Sequence, residues 1–227
     1  MKIVKRILPL LIAFFGCSLL TGCFDLVEQI DMKRNGSGTI KATLNLSKSK
    51  TKVASLMRLK SVNGITIPTE ATVKKEMENA VKTLRTTNGI SNVQYSLDFT
   101  NYIATLSCDF KSIQALNEFS STLSKQFKVK LTSYNSYAFN PSAQVFSRNY
   151  TYSPDIAKQF ARIPNDDRQL FKDAYYTNII RFESAVKSQV NKSAKVASNS
   201  KAVLLKIPAT NLINGSTSIA NTITLTK

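Results

Sequence analysis

Apolar residues recur at every second position in run after run of this chain, and that spacing limits the fold to sheets with a covered face. Ile40, Ala42, Leu44 and Leu46 alternate with Thr39, Lys41, Thr43 and Asn45. Successive side chains of a strand point to opposite faces, so the pattern predicts a half-buried strand. Residues 24–34 repeat it: Leu26, Glu28, Ile30 and Met32 share one face, with the glutamate as an imperfection. Asn35-Gly36-Ser37-Gly38 between the two runs is a turn signal, and together they predict a hairpin. Alternation returns at Val93, Tyr95, Leu97 and Phe99, and at Tyr102, Ala104, Leu106, Cys108 and Phe110, with a bend at Asp98 to Asn101. It returns again at Tyr176 to Phe182, at Val203, Leu205 and Ile207, and at Ile219 to Leu225 after the turn Asn214-Gly215.

Two segments carry the helical period instead. Pro68 and Thr69 open a helix to about Thr87, with Val73, Met77, Ala80, Val81 and Leu84 on one side and a stop at Asn88-Gly89. Ser112 caps a second helix to about Gln126, burying Ile113, Leu116, Leu123 and Phe127 with Phe119 beside them. Weaker signals predict a helix over residues 49–60, ended by Asn63-Gly64, and short helices at Pro154 and from Asn165 through Ala174. Val129 and Leu131 start another strand, and residues 187–200 read as surface strand or loop.

The expected fold is α+β, an antiparallel sheet with packed helices, in one domain or two small subdomains. The expected division is residues 1–22, an N-terminal α+β region at 23–133, and a mainly-strand region at 134–227. The last region's strands are placed in the sheet begun by the first hairpin. Its aromatics, from Tyr134 to Tyr152, are either a core between subdomains, the preferred reading, or a surface for sugars or lipid heads.

The opening segment has a separate purpose. Lys2, Lys5 and Arg6 precede an apolar stretch from Ile7 to Phe15, with a weaker tail to Leu20. That is the layout of a secretory signal peptide. A membrane span needs about 20 apolar residues, whereas this run is shorter and is broken by Pro9, Gly16 and Ser18. Leu20-Thr21-Gly22-Cys23 resembles the lipobox of bacterial lipoproteins. The resemblance implies cleavage before Cys23, diacylglycerol on its sulfur, and a palmitate-type acyl chain on its new amino group. Two or more acyl chains give stable anchoring. Phe24, rather than an aspartate, follows the cysteine, which favours the outer membrane over the inner membrane in a cell that has both.

Together with Phe24-Asp25, Asp31 and Asn35-Gly36-Ser37-Gly38-Thr39, the chain resembles uncharacterised lipoproteins of the Bacteroidota. It is also loosely similar to LppM-type lipoprotein domains, which are α+β. These resemblances imply an envelope location and no particular activity.

Charge and residue usage narrow the chemistry. Without residues 1–22 the chain holds 28 Lys and Arg against 14 acids, a formal charge of +14. Residues 33–69 carry eight basic side chains and residues 184–227 carry six, with no acid in either stretch. Such a balance attracts anionic lipid, lipopolysaccharide or an acidic envelope protein; the export signal argues against nucleic acid. No histidine is present, which excludes histidine metal sites and Ser-His or Cys-His catalysis. No Cys-x-x-Cys and no phosphate-binding glycine loop is present. Cys17 leaves with the signal and Cys23 is acylated, so Cys108 remains as a buried thiol with no disulfide partner.

Carboxylate catalysis needs two converging acids. Asp98 reads as a turn residue beside Asp109, and Asp166-Asp167 as a helix start. Asp25, Glu28 and Asp31 lack the spacing of a calcium loop. The expectation is therefore a non-enzymatic binding or assembly domain, with lipidation at Cys23 and no catalytic, cofactor or metal residue. The alternatives are a carboxylate-dependent envelope hydrolase and a purely structural envelope protein.

Overall fold

The first hairpin forms where the alternation puts it. In a computed structural model describing residues 24–62, 65–126 and 136–227, β1 (Asp25–Met32) and β2 (Gly38–Asn45) pair antiparallel from Asp25↔Asn45 to Met32↔Gly38. Gly36 makes the turn at φ +83, a conformation that costs glycine little. Gly38 answers a different need, since a Cβ there would lie 2.0 Å from the carbonyl oxygen of Asp31.

A short 3-10 turn at Ser47–Ser49 leads into α1 (Lys50–Met57) and a two-stranded ribbon, β3 (Ser61–Val62) and β4 (Ile65–Thr66). Then come α2 (Glu70–Thr86), β5 (Ile90–Asp98), β6 (Ile103–Phe110) and α3 (Ile113–Gln126). Thr69 caps α2, its Oγ1 accepting from the Thr72 N–H at 3.1 Å, and Ser112 Oγ accepts from the Ala115 N–H at 3.3 Å. A bulge interrupts β5 between Ser91 and Gln94, with Asn92 at φ 51. The extra residue lets Ile90 and Val93, three positions apart, both reach the core.

The chain continues through β7 (Ser136–Asn140), β8 (Val145–Asn149), α4 (Pro154–Ala161) and α5 (Asn165–Arg168). It ends with β9 (Tyr175–Phe182), β10 (Val186–Gln189), β11 (Ala194–Val196), β12 (Ala202–Pro208), α6 (Ala209–Ile213) and β13 (Asn221–Leu225).

The class is α+β, with two principal sheets. A seven-stranded sheet runs β11-β12-β9-β1-β2-β6-β5, and a four-stranded antiparallel sheet runs β10-β13-β8-β7. The larger sheet is mixed rather than antiparallel throughout. β1 and β9 pair in parallel from Asp25↔Tyr175 to Met32↔Phe182. They meet from distant parts of the chain, so no hairpin dictates their relative direction. β9 and β12 extend the sheet begun by the first hairpin, whereas β10 and β13 pair into the smaller one.

One face of the large sheet is covered. α2 lies on β5, and α3 contacts α2, β5, β6 and β7. Across the β1–β9–β12 region the small sheet supplies the cover, and Ile30, Ile40, Leu116, Phe119, Phe146, Ile180, Val203 and Ile223 join one buried cluster. Tyr137 and Phe146 are fully buried in it, which is the core reading of the aromatic segment. Tyr134, Asn63-Gly64, the strand expected at Val129 and Leu131, residues 1–22 and Cys23 all lie outside the described residues.

Some boundaries differ from those expected. α1 stops at Met57, and its Val53, Leu56 and Met57 are only half-buried. The helix expected to run from Asn165 through Ala174 ends at Arg168 and gives way to a 3-10 turn at Gln169–Phe171. No described helix is long and apolar enough to cross a membrane.

Candidate functional site

Glu28 is the acidic member of an otherwise apolar face, and the structure shows why it sits there. It points from β1 toward the small sheet. Its Oε1 accepts from the Tyr137 hydroxyl at 2.5 Å and from the Asn178 amide at 2.9 Å. Its Oε2 accepts from Arg148 Nη2 and from the Tyr176 hydroxyl, each at 3.4 Å. Arg148 comes from β8 and is 2% exposed. Its guanidinium carbon lies 5.4 and 5.5 Å from the ring centroids of Tyr137 and Tyr176, within cation–π range.

The electrostatics of this junction keep both tyrosines protonated and the guanidinium charged. Burial pushes the Tyr137 and Tyr176 hydroxyls well above the usual tyrosine range. Burial pulls the Arg148 guanidinium down, but the Glu28 carboxylate, with Tyr137 and Tyr176, outweighs it and the net direction is up. The guanidinium stays charged beside a carboxylate that already accepts from four donors. The arrangement ties the two sheets together.

The other notable region is the end of the large sheet where β1 and β9 begin and β2 and β12 finish. The Phe24 carbonyl accepts from the Tyr175 N–H at 3.0 Å. The Phe24 ring meets Phe171 edge-on at 5.1 Å, and Phe171 meets Phe160 of α4 at 4.9 Å. On its other side Asp25 accepts from Lys48 at 3.1 Å, just ahead of α1. Thus α1 and α4 flank the first described residues. Neither helix has a fully buried residue. Lys50, Arg58, Lys60, Lys158, Arg162 and Lys172 on and beside them are exposed.

The remaining candidates separate. Cys108 is 2% exposed, and burial pushes its thiol from 9.0 up to about 12, with Asp109 adding to the rise. Asp98 closes a turn: the Asn101 backbone N–H and then its side-chain amide hold the Asp98 carboxyl below its usual range. Asp98 pairs with Ile103 and Asp109 with Ser91, so the two acids sit at opposite ends of the β5–β6 ladder. Asp25 and Asp31 face away from Glu28, and Asp31 pairs with Arg181 at 3.0 Å, so these three acids do not converge. Asp166 and Asp167 begin α5.

One pair of acids does share a surface. Asp31 and Asp109 line a shallow depression of about 390 Å³ on the open face, with Thr39 between them in register. Asp31 is taken by Arg181 and Asp109 by the Asn92 amide at 2.5 Å. No group of three or more His, Cys, Asp or Glu side chains able to hold a metal occurs among the described residues. Sequence reasoning missed Arg148. Its signal was available: a basic residue in phase with Phe146 on β8, matching an acid in phase with Ile30 on β1.

No protein-family model matches the chain, and no curated protein matches it. Among solved structures it is similar to the folded domain of the Mycobacterium tuberculosis LppM protein, determined by NMR. The TM-score is 0.45 at 12% identity, covering 91% of this chain and 93% of that one. That neighbour is of the LppM type named above, but so distant a likeness carries no functional inference.

Proposed function

We propose that the protein is a lipid-anchored lipoprotein of the bacterial envelope, acting without catalysis as a binding or assembly domain. The observation that carries this reading is the bond from the Tyr175 N–H to the Phe24 carbonyl at 3.0 Å. Residue 24 already bonds to the first residue of β9, one position ahead of β1. An acylated Cys23 would then stand one residue, about 3.8 Å of backbone, from folded structure, and the domain would rest at the bilayer without a linker. The signal-like residues 1–22, the lipobox resemblance and the charge of the mature part support the same reading. The partner is an anionic envelope component: lipid, lipopolysaccharide or an acidic protein. The outer membrane is the proposed site, from Phe24 in the position after Cys23; the Bacteroidota affiliation rests on the residues quoted for it.

The saturated Glu28 and the separately bonded Asp31 and Asp109 weigh against the hydrolase alternative. Fractionation of cells tests the anchoring. Wild-type chain is expected in the membrane pellet after a high-salt wash, and Cys23→Ala is expected to lose stable retention there. Retention of the Cys23→Ala variant equal to wild type would end the proposal. Crosslinking and pull-down of the anchored protein from its own membranes then reads the partner.

A further inference from the structure

We infer that the end of the large sheet carrying Phe24 is a docking face for an anionic phospholipid bilayer, with α1 and α4 lying on the headgroups. The inference rests on the anchoring proposed above for its orientation and adds which surface meets the membrane and what lipid charge it requires.

Three observations converge on this end. Phe24 bonds Tyr175 at this end of the sheet, so an acyl anchor on the neighbouring Cys23 would join the fold here. Two eight-residue helices flank that point, α1 through the Asp25–Lys48 pair and α4 through the Phe24–Phe171–Phe160 contacts. Both helices and the residues that end them carry half-buried apolar side chains beside exposed basic ones: Val53 and Leu56 with Lys50 and Arg58, and Ile156 and Phe160 with Arg162 and with Lys158, which pairs with Asp155 at 3.3 Å. Leu59, next to Arg58, is 50% exposed. Basic side chains beside apolar ones are the composition of a helix that lies in an interface.

Charge complementarity selects the lipid. A lysine or arginine near an anionic leaflet strengthens attachment by about 1 kcal/mol, roughly fivefold, and the attraction fades within a Debye length. A neutral bilayer offers no such gain. The anchor fixes the distance, because a tether of one residue holds these helices inside that length whenever this end faces the membrane.

The test uses the full chain, purified from membranes and reconstituted in vesicles. One set holds equal parts phosphatidylglycerol and phosphatidylcholine, the other phosphatidylcholine alone. Backbone hydrogen exchange is followed by peptide. Residues 50–60 and 154–163 are expected to exchange at least roughly fivefold more slowly on the anionic vesicles than on the neutral ones. A four-site variant, Lys50→Gln, Arg58→Gln, Lys158→Gln and Arg162→Gln, is expected to abolish that difference. A matched variant at the opposite end, Lys33→Gln, Lys111→Gln, Lys187→Gln and Lys201→Gln, removes the same charge and is expected to keep it. Unchanged exchange of the β1 and β9 core peptides shows that both variants fold. Equal exchange on the two vesicle types, or equal loss in both variants, overturns the docking face. The acyl mass on Cys23 is read from the same sample. If it is missing, the anchoring fails, while cosedimentation of the unacylated chain with the two vesicle types still decides the docking face by the same comparison.

Discussion

Arg148 stands with its charge almost wholly out of water, and Glu28, Tyr137 and Tyr176 around it explain how. Removing one partner of a buried pair leaves the other charge uncompensated, which costs about 3–5 kcal/mol. Arg148→Ala is therefore expected to lower unfolding stability by that amount in urea titration. Replacing both ends by apolar residues, Glu28→Leu with Arg148→Met, is expected to recover only part of the loss, because the Tyr137, Tyr176 and Asn178 donors then lose their acceptor. A single-variant loss below about 1 kcal/mol, the range of an exposed pair, would show that the junction does not tie the sheets. Cys108 gives a second residue-scale prediction. Its thiol is raised to about 12 in the fold, against an ordinary value of 9.0. Because the folded value is the higher one, the contribution is whole below about pH 9 and is lost as pH rises toward 12. At pH 8 iodoacetamide is expected to leave Cys108 unmodified in the native protein and to modify it in urea, as read by peptide mapping. Equal labelling in both states would contradict its burial. The buried thiol was legible in the alternation Ala104, Leu106, Cys108, Phe110. The meaning of Glu28 was not, because its partner arrives from β8, 120 residues later.

At the scale of elements, local chemistry defined most boundaries. Ser112 caps the second long helix as read, Thr69, read with Pro68 as opening the first, is its cap, and the hairpin after Phe24 takes its turn from Gly36. Gly38 makes the hairpin testable. A methyl group there meets the Asp31 carbonyl oxygen at 2.0 Å and the Phe110 ring at 2.8 Å. Overpacking of this kind costs about 1–3 kcal/mol, so Gly38→Ala is expected to shift the urea midpoint downward by that equivalent. An unchanged midpoint would mean that β1 and β2 do not approach as described. The elements that sequence described poorly are those governed by long-range pairing. The bulge at Asn92 lets Ile90 and Val93 share the core, which strict alternation cannot express. The parallel β1–β9 pair joins strands with 142 residues between Met32 and Tyr175, and no turn signal records such a partnership.

For the whole molecule, the alternating segments implied covered sheets, and the structure divides them between a seven-stranded and a four-stranded sheet. The two sheets meet across an interior whose polar centre is Glu28, Arg148, Tyr137, Tyr176 and Asn178. The proposed anchoring rests instead on a short segment at the amino end, read from residue order alone. The proposed anchor would meet the fold beside Phe24, whose carbonyl bonds the first residue of β9. On that reading the domain would stand at the bilayer without a linker. Intact-mass analysis of the protein extracted from membranes tests this most directly. The expected species begins at Cys23 and carries the added mass of a diacylglyceryl group and an amide-linked acyl chain. A chain that retains residues 1–22, or one that begins at Cys23 without acyl mass, would contradict it.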